Sequence, residues 1–305
     1  MIDPASALDG QYDVLVRDGE IAAVEPKINL RDATLIDVSR CWVAPGLIDP
    51  HVHLRDPGFP EKETISTGLR AAAAGGFTTV AAMANTSPVN DNPATTCYMI
   101  ERARDAHSAR LVPVSAVTQG LRGIEPVDFT AMVEAGARLF SDDGIPIDDA
   151  MVLSRALDEA KRLGYAIALH EEDRALSSNG ALNAGAVSKH LGVSGYTDSA
   201  ESQRVRRDLA LAIGSGAAVH VCHVSTSESL ELIRAARRHG AQVTCEVTPH
   251  HFTLDESAAI VWGTNAKMNP PLRAESDRAA LIEGILDGAV DAIATDHAPH
   301  AAHQR

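Results

Sequence analysis

From Ala44 onward the sequence alternates short apolar runs with helix-like stretches, and this alternation constrains the fold more than any other feature. The eight runs are "APGLIDPHVH", "FTTVAAMANT", "RLVPVSAVT", "ARLFSDDG", "YAIALHEED", "AAVHVCHVST", "AQVTCEVTPHH" and "VDAIATDHAPH", with seven helical patterns between them. In "ETISTGLRAAAAGG" paired glycines stop an alanine-rich helix. "NPATTCYMIERARDAH" places proline at a helix start. "STSESLELIRAARRHG" opens on serine and threonine caps and carries arginines in its last turn. Strand–helix alternation implies parallel strands joined by crossover helices. Eight such strands predict a closed barrel rather than an open doubly wound sheet, and no Gly-x-Gly-x-x-Gly follows any run. The expectation is an α/β chain with a (β/α)8 TIM-type barrel over residues 47–305, truncated after strand 8, with the C-terminal helix and return strands missing.

Residues 1–46 read differently, as a small N-terminal β domain, a β-sandwich portion. "YDVLVRDGEIAAVEP" holds two β-type runs around Asp18-Gly19, a hairpin signal, and "ATLIDVSRCWVAPG" is expected to add a strand or two. With 305 residues, 45% of them hydrophobic, the chain can bury a large core. Its net charge of −14 argues against nucleic acid or an anionic membrane as partner, though a local pocket for a small anion is allowed. The cysteines, Cys41, Cys97, Cys222 and Cys245, show no C-x-x-C spacing and read as reduced thiols of a cytoplasmic protein. There is no basic segment leading into an apolar one at the N-terminus, and no apolar run long enough to span a bilayer.

In barrels of this kind the chemistry sits at the C-terminal ends of the strands. Here those ends carry His51 and His53, Asp142 and Asp143, His170, His223 and Asp296. Residues two apart on a strand point the same way, so His51 and His53 can converge on one ion. Any one of these residues alone is ordinary, since loops at sheet ends are polar. Together they form a set of nitrogen and oxygen donors with metal-ligand chemistry, richer than one tetrahedral ion with an open position needs. Two ions close together, lowering the pKa of a water and polarising a carbonyl, suit it better. Asp142 competes with Asp143 on residue type, but alternation along the strand points it to the other side, where it is expected to shape the turn with Gly144.

The motifs "GLIDPHVHLRDPG", "MANTSPVNDNP", "FSDDG", "HEED", "CHVST", "MNPPLR" and "DAIATDHAPH" together resemble class I dihydroorotase of the amidohydrolase superfamily, in order and over nearly the whole chain. The resemblance implies reversible cyclisation of N-carbamoyl-L-aspartate to L-5,6-dihydroorotate in pyrimidine biosynthesis, with two Zn2+ ions per subunit. His51, His53 and Asp296 match the ligands of one zinc, His170 and His223 those of the second, and Asp143 the carboxylate between them. Asp296 also matches the general base and acid, a task within reach of a carboxylate that touches both metal and water. Arg55 and Asn85 match the groups that hold the substrate carboxylate, for which a planar guanidinium fork is suited. Asn269 and His300 match further substrate contacts.

His250 and His251 are read as structural, His220 and Cys222 as packing residues, and Trp262 and the run Arg204 to Arg207 as surface features. Two alternatives stand beside the main reading. One is a related cyclic amidohydrolase such as dihydropyrimidinase or allantoinase, whose relatives bridge their metals with a carboxylated lysine. Arg138, the cation near strand four, stays protonated and cannot take that role. The other is a non-catalytic dihydroorotase-like scaffold partnering aspartate transcarbamoylase. A homo-oligomer is expected. Ala84 departs from the family's proline, and the family chain continues past the eighth strand. A barrel ending there exposes apolar faces of strands one and eight, so the 305-residue polypeptide is expected to be poorly soluble alone. A monodisperse protein with a cooperative melt would contradict that.

Overall fold

The computed structural model describes residues 1–30, 32–177 and 180–304. The chain divides into two compact units, Met1–Leu47 and Ile48–Arg305. In the first, β1 (Ile2–Asp3) pairs antiparallel with β2 (Leu8–Asp9), and β3 (Asp13–Arg17) with β4 (Glu20–Glu25). The β3–β4 turn uses Asp18 at φ 52° and Gly19 at φ 80°, the positive-φ pair that matches the twist of a two-residue hairpin. The expected strand in "ATLIDVSRCWVAPG" does not form: residues 32–46 contain no strand. Leu35 and Trp42 are 90% and 88% exposed there, so β propensity without a partner strand to pair with does not make a strand.

The second unit carries all eight expected strands: β5 (Leu47–Val52), β6 (Phe77–Ala82), β7 (Arg110–Ser115), β8 (Leu139–Phe140), β9 (Ile167–Leu169), then, after β10 (Leu182–Asn183) and β11 (Gly195–Tyr196), β12 (Val219–Val221), β13 (Val243–Val247) and β14 (Ala292–Ile293). The large sheet runs in chain order from β5 to β14, leaving out only β10 and β11, which form their own parallel pair. The helices are α1 (Ile65–Ala74), α2 (Pro93–Ala106), α3 (Phe129–Ala135), α4 (Ala150–Leu163), α5 (Arg174–Ser177), α6 (Ala186–Leu191), α7 (Asp198–Ser215), α8 (Ser227–Arg238), α9 (Pro249–Thr253), α10 (Ala258–Trp262) and α11 (Glu275–Leu286). Local chemistry fixes their ends: Asn92 caps α2 ahead of Pro93, Thr226 caps α8, and Gly164 and Gly216 end α4 and α7 in the left-handed conformation.

Strand alternation sorts the side chains into two layers. Val219, Val221, Val243, Cys245 and Val247 face the helices and join Leu153, Leu157, Leu209 and Ile233 in the main core. Ala81, Met83, Val114, Ala168 and Cys222 pack in a separate, smaller cluster.

The barrel is closed by one parallel bridge, Val52 with His297, and by the His53 amide donating to His297 O at 2.8 Å. Ile48 and Ile293, on the two closing strands, are 66% and 45% exposed. Buried Asp49 latches the seam: its carboxylate accepts from the Thr295 amide at 3.1 Å, the Thr295 hydroxyl at 2.6 Å and the His51 amide at 3.1 Å. Asp49→Ala strands these donors, and the expected loss of stability is about 1–3 kcal/mol. A denaturation midpoint that falls at constant slope checks it.

Glu201 on α7 plays a similar part at the end of β12. It accepts from the amides of Ser225 and Thr226 and from both hydroxyls, beside Arg273. Burial opposes its charge, but Arg273 and these donors outweigh burial and hold its pKa below the ordinary 4.5. A depressed folded-state pKa gives stability that is complete above the unfolded value and lost as pH falls through the folded one. The stability gap between wild type and Glu201→Gln is therefore expected to hold above about pH 5 and to narrow as the pH falls below the ordinary 4.5 toward the lower folded-state value. Melting scans across that range measure it.

Candidate metal centre and active site

The strand ends bring His51, His53, Asp143, His170, His223 and Asp296 into one cluster. Asp143 is at its middle. Its Oδ1 lies 3.4 Å from His51 Nε2, from His170 Nδ1 and from His223 Nε2, and its Oδ2 lies 3.3 Å from His53 Nε2. Asp296 Oδ1 stands 3.2 Å from His53 Nε2 and 3.6 Å from His51 Nε2. The facing nitrogens of His51 and His53 are 3.3 Å apart, and those of His170 and His223 are 2.9 Å apart.

The outer nitrogen of three rings is committed elsewhere. His51 Nδ1 donates to Glu246 Oε1 at 2.7 Å, His53 Nδ1 to Asn85 Oδ1 at 2.8 Å, and His170 Nε2 to Glu172 Oε2 at 3.3 Å. Each inner nitrogen is then a lone pair aimed at the cluster. His223 Nε2 can donate to His170 Nδ1 at 2.9 Å, but buried Asp143 Oδ1 has no hydrogen-bond partner among the described residues. A metal cation would complement this donor set. Metal–ligand bonds of about 2.0–2.1 Å in tetrahedral geometry set neighbouring donors about 3.3–3.4 Å apart, which is the spacing here. The donors fall into two groups that share Asp143, one with His51 and His53, the other with His170 and His223.

The electrostatics make the same demand. Burial disfavours the Asp143 carboxylate, yet His51, His170 and His223 hold its pKa well below the usual range. Burial likewise opposes charge on His51, and Asp143 with Glu246 overrides it and raises that pKa well above the imidazole value. His170 is pushed up to about 9 against burial by Asp143 and Glu172. Asp296 falls to about 2 because His53 and the other imidazoles outweigh its burial. The cluster requires positive charge at its centre, which protons supply in part and a metal cation supplies in full. Two of its residues, and Arg55 beside it, also carry backbone strain: His223 and Asp296 have φ of 33° and 48°, and Arg55 has 60°, a region non-glycine residues rarely adopt.

Of the other expected site residues, Arg55 and Asn85 lie beside this cluster and Asn269 reaches it through Glu172. Arg55 is part-buried, donates from Nε to Pro299 O at 3.3 Å, and feels the fields of Asp296 and Asp143. Asn85 is tied to His53 by its oxygen. Asn269 is exposed and donates to Glu172 Oε2 at 3.2 Å. His300 is exposed in the loop after β14.

Asp142 turns away from the cluster and clamps the loop after β7, accepting from the Val117 and Thr118 amides at 2.7 and 3.0 Å and from the Thr118 hydroxyl. His251 bonds Thr248 and Pro270 O and is structural. Its neighbour His250 is different: its buried Nε2 has no hydrogen-bond partner among the described residues, and burial lowers its pKa to about 4 despite Asp296. Arg204 corrects the surface reading, because it is 5% exposed and ties Ile147 O and Asp148 to α7. Arg138 bonds Val133 O and Ala137 O, away from the cluster.

Sequence reasoning missed Glu246 and Glu172. Glu246 had a signal: it is the one charged residue inside the apolar run "VTCEV", two positions from Thr244 and so on the same face of β13. Glu172, in "HEED", had none beyond its nearness to His170.

Comparison with known proteins agrees with this architecture. The family model described as "Dihydro-orotase-like" matches residues 41–229. A protein named "Dihydroorotase" from Syntrophotalea carbinolica is 49% identical over 300 residues, covering 98% of this chain and 71% of that protein. Another so named, from Pelotomaculum thermopropionicum, is 47% identical over 305 residues, covering 100% of this chain and 71% of that protein. Among solved structures, L-hydantoinase (dihydropyrimidinase) from Arthrobacter aurescens superposes with a TM-score of 0.84 at 24% identity, over 96% of this chain and 66% of that one. Dihydropyrimidinase from Brevibacillus agri gives 0.77 at 24% identity, over 95% and 66%. At that identity the likeness concerns the fold. The chain spans about 71% of the length of the curated relatives and 66% of these solved chains.

Proposed function

Because this chain belongs to the dihydroorotase-like family, as the family model and its curated relatives show, we propose that it catalyses the reversible cyclisation of N-carbamoyl-L-aspartate to L-5,6-dihydroorotate. Membership makes it a metal-dependent cyclic amidohydrolase acting on a small molecule. The observation that carries the reading is the Asp143 carboxylate, set within 3.3–3.4 Å of four imidazole nitrogens that belong to two donor groups. In this reading His51, His53 and Asp296 would hold one zinc ion and His170 and His223 a second, with Asp143 a member of both donor groups. When bound, the ions supply Lewis-acid polarisation of the amide carbonyl and lower the pKa of the attacking water.

The chain's own residues do the rest. Asp296, ionised and facing the cluster, takes the proton of the attacking water during ring opening and delivers it to the departing amide nitrogen. Ring closure runs the same proton transfer backwards. Arg55 and the Nδ2 of Asn85 hold the substrate carboxylate, with Asn269 and His300 as further substrate contacts. Arg55→Gln replaces a charged fork by a neutral amide, and the expected result is a KM raised about 10- to 100-fold with a smaller change in kcat. Steady-state kinetics on L-dihydroorotate measure it.

Zinc content and hydrolysis of L-dihydroorotate, assayed beside hydantoin and allantoin, test the reading as a whole. Turnover of hydantoin without dihydroorotate overturns the substrate. Self-association belongs to this reading, and pairing with aspartate transcarbamoylase to the alternative reading as a scaffold. Ile260, Val261 and Trp262 on α10, 55%, 77% and 50% exposed, offer an apolar surface for one of them.

A further inference from the structure

We propose that Glu246 is a positioning residue that fixes His51 and His223 together, and this rests on the metal-centre reading above. The carboxylate is fully buried in the middle of β13. Its Oε1 is 2.7 Å from His51 Nδ1 and 3.3 Å from the His223 amide nitrogen. Its Oε2 is 3.0 Å from His220 Nε2, and His220 Nδ1 lies 2.8 Å from Thr244 Oγ1. A buried carboxylate is tolerated only where hydrogen bonds engage it, and this one is engaged from β5 and from the β12 segment at once.

The two targets come from different halves of the centre. On His51 the bond commits Nδ1–H outward, which fixes the tautomer and aims the Nε2 lone pair at Asp143 and Asp296. On His223 it grips the main chain at a residue whose φ is 33°, a conformation that costs energy and persists only when its surroundings hold it. His53 and His170 have partners of their own in Asn85 and Glu172. His51 and His223 share one. A single carboxylate therefore couples the ligand geometry of the two donor groups from beneath. Cys222 lies near enough to His51 and Glu246 for the three to hold a cation instead, and the test separates the two arrangements.

The first measurement needs no variant at position 246. In zinc-loaded protein labelled with 15N-histidine, with the His51 signals assigned by their loss in His51→Gln, His51 Nδ1 is expected to carry a slowly exchanging proton. A His51 Nδ1 that carries no proton, or that carries metal, overturns the proposal. The second is zinc competition against a chelator. Glu246→Gln is expected to bind zinc about 10- to 100-fold more weakly than wild type. His220→Gln, which cuts the same network on its far side, is expected to leave zinc affinity unchanged. Equal affinities for Glu246→Gln and wild type overturn the proposal, and so does an equal loss in both variants, which marks a general packing defect. If Glu246→Gln does not fold, the wild-type spectrum decides alone. Wild-type protein that takes up no zinc overturns the metal-centre reading itself, and this inference with it.

Discussion

Asp143→Ala is expected to abolish turnover while the barrel stays folded. The carboxylate is the one group within 3.4 Å of His51, His53, His170 and His223 alike, so its loss opens both donor groups together. Retention of metal should fall by more than the roughly 100-fold typical of losing a mere supporting partner. Since a bound cation supplies several kcal/mol of transition-state stabilisation, kcat should fall on the order of 10³-fold or more. The fold should survive because the neighbouring Asp142, not Asp143, makes the hydrogen bonds that hold the loop after β7. Metal analysis, circular dichroism and turnover on one preparation check this. Wild-type metal content and turnover in the variant would remove Asp143 from the centre.

Asp296→Asn separates the proton-transfer role from ligand geometry. Asparagine keeps the shape and one oxygen near His53 but cannot accept and return a proton. General acid–base catalysis contributes about 10²–10⁴ in rate, and kcat is expected to fall by that amount. KM should change little, because Arg55 and the asparagines are untouched. Most of the metal should remain, since five of the six clustered residues are intact. A kcat within about tenfold of wild type would mean that another group moves the proton, and His250, half-buried with its Nε2 unpartnered among the described residues, is the residue to examine next.

The barrel was legible because its signals are local and periodic. Each of the eight runs became a strand, and capping residues such as Asn92 and Thr226 stand where the helices begin. The failed expectation, a strand within "ATLIDVSRCWVAPG", has a physical cause: a strand exists only with a neighbour to accept its hydrogen bonds, and sequence preference does not supply one. The clustering of the histidines and aspartates was legible for a related reason. A barrel gathers its strand ends, so polar residues ending separate apolar runs share a neighbourhood. The choice of Asp143 over Asp142 also followed from alternation along the strand.

The supporting groups were not legible, and the reason is sequence distance. Glu246 meets His51 across 195 residues, and Asp49 meets Thr295 across 246. No local pattern encodes such a contact. The sequence by itself determined eight parallel strands, their helices and the donor set at their ends, because period, capping and side-chain parity act within a few residues. Only the tertiary structure decided which nitrogen of each histidine faces the centre, that Asn85 turns its oxygen to His53, and that Glu246 grips both halves. Those choices depend on which buried acceptor stands opposite each ring, and only the closing of the barrel sets that.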